Sequence, residues 1–268
     1  VPVTATLPGT PPGGAMAQAM RITNSRQAER YRDGRVFLLG DAAHVHSGMG
    51  GPGLNLGLTD AFNLGWKLAA AVTGWAPPDL LDSYHHERHP VGRRVIMHSR
   101  AQSALVGPGP DVTALRELMG ELLENRDTVR HVAELMSGAD TRYRTGADRH
   151  ELAGRWVPDL PLDTGTGGAR LAEVLRTGRP LLLDLGAGVA GAVDGWADRV
   201  DVLAATTPEP PAGAVLIRPD GHAAWAGEDA GGLDAALHRW FGEPGLNRRS
   251  PRPRPERPRS AAGPRTPW

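Results

Sequence analysis

The chain has 268 residues, no cysteine, and equal numbers of basic and acidic residues, 30 of each. This length is enough for one large or two ordinary domains with real cores. The charge balance argues against a general affinity for nucleic acid or membrane surfaces, and the lack of cysteine excludes disulfides and thiol chemistry. No apolar run approaches the roughly 20 residues that span a bilayer, so the cytoplasm is the default expectation.

Residues 1–20 are rich in Pro, Gly, Ala and Thr without periodicity, which predicts disorder. They lack a basic stretch followed by an unbroken apolar run, so we do not expect a signal peptide. A first domain is predicted over 21–150. It begins with a short buried strand, "RVFLLG" (35–40), and a helix over 53–72 whose apolar residues recur every three to four positions until Gly74.

More helices are predicted further along this domain. Residues 78–106 are predicted to form either half of a helix hairpin or one long helix with Pro90 as a bend or break. Residues 111–138 form two amphipathic helices, with Asp111 or Thr113 and Asp127 as expected caps.

A second domain is predicted over 151–246, as a small α/β sandwich. Residues 179–186 and 199–206 are buried strands, residues 214–227 are a hairpin turning at Pro219-Asp220-Gly221, and residues 231–242 are a closing helix. The Pro/Arg-rich residues 247–268 are predicted to be disordered, as a solvated tail and not a nucleic-acid module.

The candidate site joins the first strand to the first helix. Asp41 follows the strand, where α/β folds present side chains to ligands, and its ionised carboxylate can only accept hydrogen bonds. Four glycines lie within 47–53 and allow close approach of the backbone to a bulky group. The first amides of the helix, Gly53, Leu54 and Asn55, lack intrahelical partners and lie at its positive end. A hydroxyl-bearing ligand with delocalised negative charge, such as a flavin nucleotide, suits this pattern.

Three other interpretations compete with this one. Glycine-rich turns are often purely structural. "GAGVAG" (186–191) has the spacing of a nucleotide-binding GxGxxG, but no acidic residue ends a second strand about 20 residues on. His85 and His89 have the i, i+4 spacing of a zinc pair, but no carboxylate completes the set, so no metal site is expected.

Three segments together resemble one known family. They are "GDAAHVH" (40–46), "GGPGLNLGLTDAFNLGWKLA" (50–69) and "LLDSYHHERHPVGRRV" (80–95). They are similar to the third flavin motif of the class A flavoprotein aromatic hydroxylases, the para-hydroxybenzoate hydroxylase-like monooxygenases, and most of all to hydroxylases of aromatic polyketides. The resemblance implies FAD as the cofactor, NAD(P)H as the reductant and a small aromatic substrate that is hydroxylated with O2. A homodimer is possible.

The resemblance also assigns the site residues. It implies that Asp41 accepts a ribityl hydroxyl of FAD and that Gly53, Leu54 and Asn55 offer amides to the pyrimidine end of the flavin. Gly48 lies beside the reactive edge of the flavin, where family members usually carry proline. No side chain is an obvious catalytic acid or base.

The second domain has a resemblance of its own. "ELAGRWVPDLPL" (151–162), "GRPLLLDLG" (178–186) and "VLIRPDGHAAWA" (215–226) are similar to the thioredoxin-like C-terminal domain of the polyketide hydroxylases. Without cysteine it cannot exchange disulfides. The implied fold class is α/β: part of a para-hydroxybenzoate hydroxylase-like FAD domain plus a thioredoxin-like domain. The family's N-terminal GxGxxG segment is not found, so we expect an incomplete chain. The alternative is a non-catalytic remnant that serves as a structural or dimerisation module.

Overall fold

The computed structural model describes residues 25–46, 51–146 and 150–245. The disorder predicted for residues 1–20 and 247–268, and the placement of Gly48, lie outside these ranges. Within them, no helix is both long and apolar enough to cross a bilayer.

The first described part contains four strands of two residues each: β1 (Arg26–Gln27), β2 (Arg32–Asp33), β3 (Val36–Phe37) and β4 (His44–Val45). β1 pairs with β4 and β2 with β3, both antiparallel. The predicted buried strand over 35–40 is therefore wrong in length and in burial, since Val36 is 63% exposed. Gly40 has a φ of +55° and starts a 3-10 turn, Gly40–Ala42, so the chain bends before Asp41.

Four helices follow: α1 (Pro52–Thr73), α2 (Asp82–Leu105), α3 (Pro110–Leu122) and α4 (Arg126–Ser137). The helix predicted over 53–72 is confirmed, and Gly74 ends it in a left-handed conformation. α2 continues through Pro90, so the proline does not end the helix.

The expected caps of the last two helices are wrong. Gly109 precedes α3 without any side-chain cap. Asn125 caps α4, because its side-chain oxygen accepts hydrogen bonds from the amides of Asp127 and Thr128.

The second part is built around a mixed four-stranded sheet. Its elements are β5 (Pro161–Asp163), β6 (Gly168–Arg170), α5 (Leu171–Val174), β7 (Leu181–Asp184), β8 (Asp201–Ala204), β9 (Ala214–Ile217), β10 (Ala223–Gly227) and α6 (Leu233–Phe241). The sheet order is β10-β9-β7-β8, with β7 and β8 parallel and the other neighbours antiparallel. The predicted strands, hairpin and closing helix are confirmed. β8 is only half buried, because it forms the edge of the sheet.

One hydrophobic cluster unites the two parts. Trp66 and Ala70 of α1 pack in the same buried cluster as Leu182, Leu216 and Trp240 of the sheet and α6. A second cluster fills the other face of the sheet beneath β5 and α5. The helix that begins at the candidate site is therefore packed directly against the second domain.

Five buried polar side chains join the same elements, and we call them the junction cluster: Asn63 and Lys67 of α1, Glu87 of α2, and Arg218 and Asp220 of the β9–β10 turn. Arg218 donates to both carboxylate oxygens of Glu87, at 2.6 and 2.9 Å, and also to Asp220. Lys67 donates to Glu87 and to Asn63, each at 2.7 Å. The guanidinium of Arg218 also lies 4.4 Å from the ring centroid of Trp240.

The cluster holds its charges because each has a partner. Burial alone would raise the pKa of Glu87, but Arg218 and Lys67 outweigh it and lower that pKa to about 2. Burial also opposes ionisation of Asp220, yet Arg218 and His222 hold its pKa well below the usual range. Burial lowers the pKa of Lys67 to about 8, even with Glu87 beside it.

Replacing Arg218 by methionine should destabilise the protein strongly. The Arg218→Met change removes the guanidinium that pairs with two buried carboxylates, Glu87 and Asp220, which costs on the order of 3–5 kcal/mol in free energy of unfolding. Urea titration followed by tryptophan fluorescence measures the loss. The matched control is Arg170→Met, whose exposed pair with Asp159 should contribute at most about 1 kcal/mol. Equal losses in the two variants would contradict the account.

Acid should remove part of the stability. Because the pKa of Glu87 is lowered on folding, its contribution is fully present above pH 4.5 and is lost as pH falls towards about 2. Glu87 alone accounts for about 3 kcal/mol of this loss, and Asp220 acts in the same direction. Urea titrations between pH 6 and pH 3 should show a shallower pH dependence in Glu87→Gln than in the wild type. Parallel pH profiles would be the contrary result.

Candidate functional site

The turn that carries Asp41 lies against α1. Asp41 is exposed at the centre of the Gly40–Ala42 turn. A Cβ atom built on Gly57 would lie 3.4 Å from the Cα atom of Gly40, so the turn approaches the helix closely at a position without a side chain. Gly53 lies one helical turn earlier on the same face, and its side faces the ring of His46 at the same distance. Residues 40–46 therefore follow the glycine face of α1.

The start of α1 has no side-chain cap among the described residues. Gly51 adopts a left-handed conformation and Pro52 occupies the first helical position. Leu54 and Asn55 are exposed and Gly53 is half buried. The first amides of a helix have no intrahelical partner and carry the positive end of its dipole, so this end can donate hydrogen bonds and stabilise negative charge.

The structure thus brings most of the predicted site residues to one region. The turn with Asp41 and the first two turns of α1, with Gly53, Leu54 and Asn55, are in contact through Gly40 and Gly57. The arrangement offers an acceptor for a hydroxyl and donors for a charged ring, and the glycines let the turn approach the helix closely. These features fit the ribityl and ring portions of a flavin.

Sequence reasoning missed the side chains that hold the turn. Asp60 is completely buried on α1, and its carboxylate accepts hydrogen bonds from the Gly40 amide at 3.1 Å and from Nε2 of His44 at 2.7 Å. It also accepts from Nε of Arg88 at 2.7 Å. Burial favours the neutral acid, but His44 and Arg88 prevail and lower the pKa of Asp60.

A sequence signal for these residues does exist. Asp60, Asn63 and Lys67 recur at helical spacing on a helix that is otherwise mostly apolar, which indicates a polar stripe on one face. Such a stripe is buried only if charged partners arrive from elsewhere in the chain. Its partners are distant in sequence, so the pattern alone does not identify them.

The histidine pair considered for zinc packs around a tyrosine. Nδ1 of His85 accepts a hydrogen bond from the amide of Tyr31 at 3.2 Å, and the rings of His85 and His89 both contact the Tyr31 ring. Burial lowers the pKa of each histidine. Within the described ranges, no group of three or more potential ligands could hold a metal ion.

The GxGxxG-like string folds around its own aspartate. The carboxylate of Asp184, at the end of β7, accepts hydrogen bonds from the amides of Gly186, Gly188, Val189 and Ala190, at 2.8–3.2 Å. These are the amides that a nucleotide phosphate would need. Although burial opposes ionisation of Asp184, the four amides lower its pKa. The glycines therefore serve an internal anion.

Removing this internal anion should destabilise the second domain. Asp184→Ala leaves four amides without their acceptor, and we expect a loss of about 1–3 kcal/mol in free energy of unfolding, measured by urea titration. Asp194→Ala, an exposed site in the following 3-10 segment, is the control and should change stability by no more than about 0.5 kcal/mol. Binding of ADP to the wild type that disappears in Asp184→Ala would contradict this assignment.

Comparison with known proteins finds two matching domain families and several similar enzymes. The model of an FAD binding domain matches residues 14–99, and that of the aromatic-ring hydroxylase C-terminal domain matches residues 150–244. Rifampicin monooxygenase from Streptomyces venezuelae is 51% identical over 218 residues, which are 81% of this chain and 44% of the relative. Dialkyldecalin synthase from Streptomyces rugosporus is 45% identical over 81% of this chain and 44% of the relative.

A solved structure extends the match to three dimensions. The anhydrotetracycline hydroxylase OxyS from Streptomyces rimosus superposes with a TM-score of 0.79 at 48% identity, over 82% of this chain and 47% of that one. The chain thus spans less than half the length of these three relatives. It belongs to the class A FAD-dependent aromatic hydroxylases, the para-hydroxybenzoate hydroxylase-like monooxygenase family.

Proposed function

We propose that this chain forms the flavin-ring side of the active site of an FAD-dependent monooxygenase. The enzyme hydroxylates an aromatic, polyketide-type or phenolic substrate with NAD(P)H and O2. The observation that carries the proposal is the contact between the Asp41 turn and the uncapped start of α1.

Each proposed site residue has a physical role. The Asp41 carboxylate accepts a hydrogen bond from a ribityl hydroxyl, because an ionised carboxylate only accepts. The amides of Gly53, Leu54 and Asn55 donate to the pyrimidine end of the ring and stabilise negative charge there. We also propose Gly48, which lies outside the described residues, as a cofactor-binding residue on the strength of the resemblance alone. When bound, FAD supplies the redox and oxygen chemistry, while these protein groups orient it.

An exposed apolar stripe on α1, beside the site, suits contact with another part of the protein. Leu54, Leu58 and Phe62 follow one face of α1 and are 74%, 47% and 61% exposed. A contiguous exposed apolar patch is typical of an interaction surface. We propose that the nucleotide-binding part of the FAD domain covers this stripe and provides the opposite wall of the flavin site.

The second domain is proposed to be thioredoxin-like over residues 151–246, following a first domain over 21–150. The support is its sheet, in which a parallel β7–β8 pair continues into an antiparallel β9–β10 hairpin and a closing helix. Without cysteine, its proposed role is packing against α1 and α2, and a homodimer contact stays a prediction.

The proposal is tested by FAD binding to the purified chain. We expect FAD to bind with quenching of its fluorescence, and Asp41→Ala to weaken binding about tenfold or more, since it removes a hydrogen bond to a charged group. Asp33→Ala, an exposed site on β2, is the matched control and should leave the affinity unchanged.

A second preparation guards against an incomplete site. The chain is mixed with the nucleotide-binding half of the Streptomyces venezuelae rifampicin monooxygenase, and the same titration is repeated. Failure of FAD to bind in both preparations contradicts the proposal and favours a non-catalytic remnant. Equal affinities of the wild type and Asp41→Ala contradict the role given to Asp41.

A further inference from the structure

The Asp41 turn has few anchors of its own. Asp41 and Ala42 are exposed, and Gly40 has no side chain. Asp60 provides the fixed attachment, because it accepts the amide of Gly40 immediately before Asp41 and Nε2 of His44 shortly after it. One carboxylate therefore holds the turn on both sides of Asp41.

Arg88 in turn fixes the Asp60 carboxylate. Its guanidinium is 2% exposed and donates through three nitrogens to Asp60, to the hydroxyl of Tyr143 at 2.8 Å and to the hydroxyl of Thr59 at 2.7 Å. A further bond at 3.3 Å reaches the carbonyl of Leu56. A planar guanidinium with this many partners has a single orientation.

The second domain supports the same arginine. Tyr143 precedes that domain, and its ring lies 4.3 Å, centroid to centroid, from the ring of His222 in the β9–β10 turn. Glu87, the neighbour of Arg88 on α2, is held by both terminal nitrogens of Arg218. The β9–β10 turn therefore contacts two neighbours of Arg88: its hydrogen-bond partner Tyr143 and the preceding residue Glu87.

We propose that Asp60 and Arg88 are positioning residues for the flavin, and that they transmit the position of the second domain to the Asp41 turn. The buried path runs from Tyr143 through Arg88 and Asp60 to the amide of Gly40. This inference rests on the proposed flavin site for its meaning. It gives the cysteine-free second domain a function, which is to hold the flavin turn in register with the start of α1.

The first test measures the turn itself. Asp60→Asn keeps the shape but removes the charge and places an NH2 group among donors. We expect amide hydrogen exchange over residues 40–44 to accelerate about tenfold beyond any change in global unfolding. Arg88→Lys, which keeps the positive charge but loses the planar guanidinium with its several donors, should have an intermediate effect. The control is Asp127→Asn in the exposed pair with Arg130 on α4, which should leave this exchange unchanged.

A milder variant covers the case in which Asp60→Asn does not fold. Tyr143→Phe deletes one hydroxyl, and we expect exchange over residues 40–44 to rise about threefold while most of the global stability remains. Exchange that follows global unfolding alone, in whichever variants fold, would overturn the inference and leave these residues a purely structural role.

FAD titration separates this inference from the proposed function. If the wild type binds FAD, Asp60→Asn and Tyr143→Phe should weaken binding in the same order as they accelerate exchange. Unchanged affinity in both variants overturns the positioning role while the proposed function stands. If FAD binds in neither preparation but exchange over 40–44 responds as expected, the proposed function fails while the buried path is confirmed.

Discussion

The pairing of two buried arginines with carboxylates determines how the two parts of the structure fit together. Arg218 is fully buried at the junction between α1, α2 and the sheet, and it is stable there only because Glu87 and Asp220 take up its donors. Arg88, one residue after Glu87, has the same requirement and meets it with Asp60. Because these partners come from separate parts of the chain, satisfying the arginines fixes how the helices meet the second domain. The position of the Asp41 turn depends on that arrangement.

Local signals in the sequence predicted most of the regular structure. The apolar period of α1 with its terminal Gly74, the hairpin at Gly221 and the closing helix α6 all depend on neighbouring residues. The prediction of a buried strand over residues 35–40 was wrong, because an apolar run does not by itself specify a partner strand. The partners of the buried polar side chains could not be predicted, since Glu87 and Arg218, for example, are 131 positions apart. The motif predicted a cofactor role for Asp41, whereas it did not indicate the residues that hold the Asp41 turn.

The glycines of α1 and those that follow β7 have different roles. Gly57 permits close contact between the Asp41 turn and α1, which leaves a helix start open to a ligand. The segment that begins at Gly186 encloses Asp184, which takes up its amides. The family relationship does not by itself decide the reaction, because the relatives include proteins named as a monooxygenase and as a synthase. The proposed activity therefore rests on the proposed flavin site.

The most direct test of the central claim is to locate the flavin on the chain. Amide chemical shifts of the 15N-labelled protein are recorded during titration with FAD, a measurement that also detects weak binding. The account predicts that the largest shifts fall on residues 40–42 and 53–55, which form the turn and the start of α1. Shifts concentrated on residues 186–190 around Asp184, or no shifts at all at saturating FAD, would contradict it.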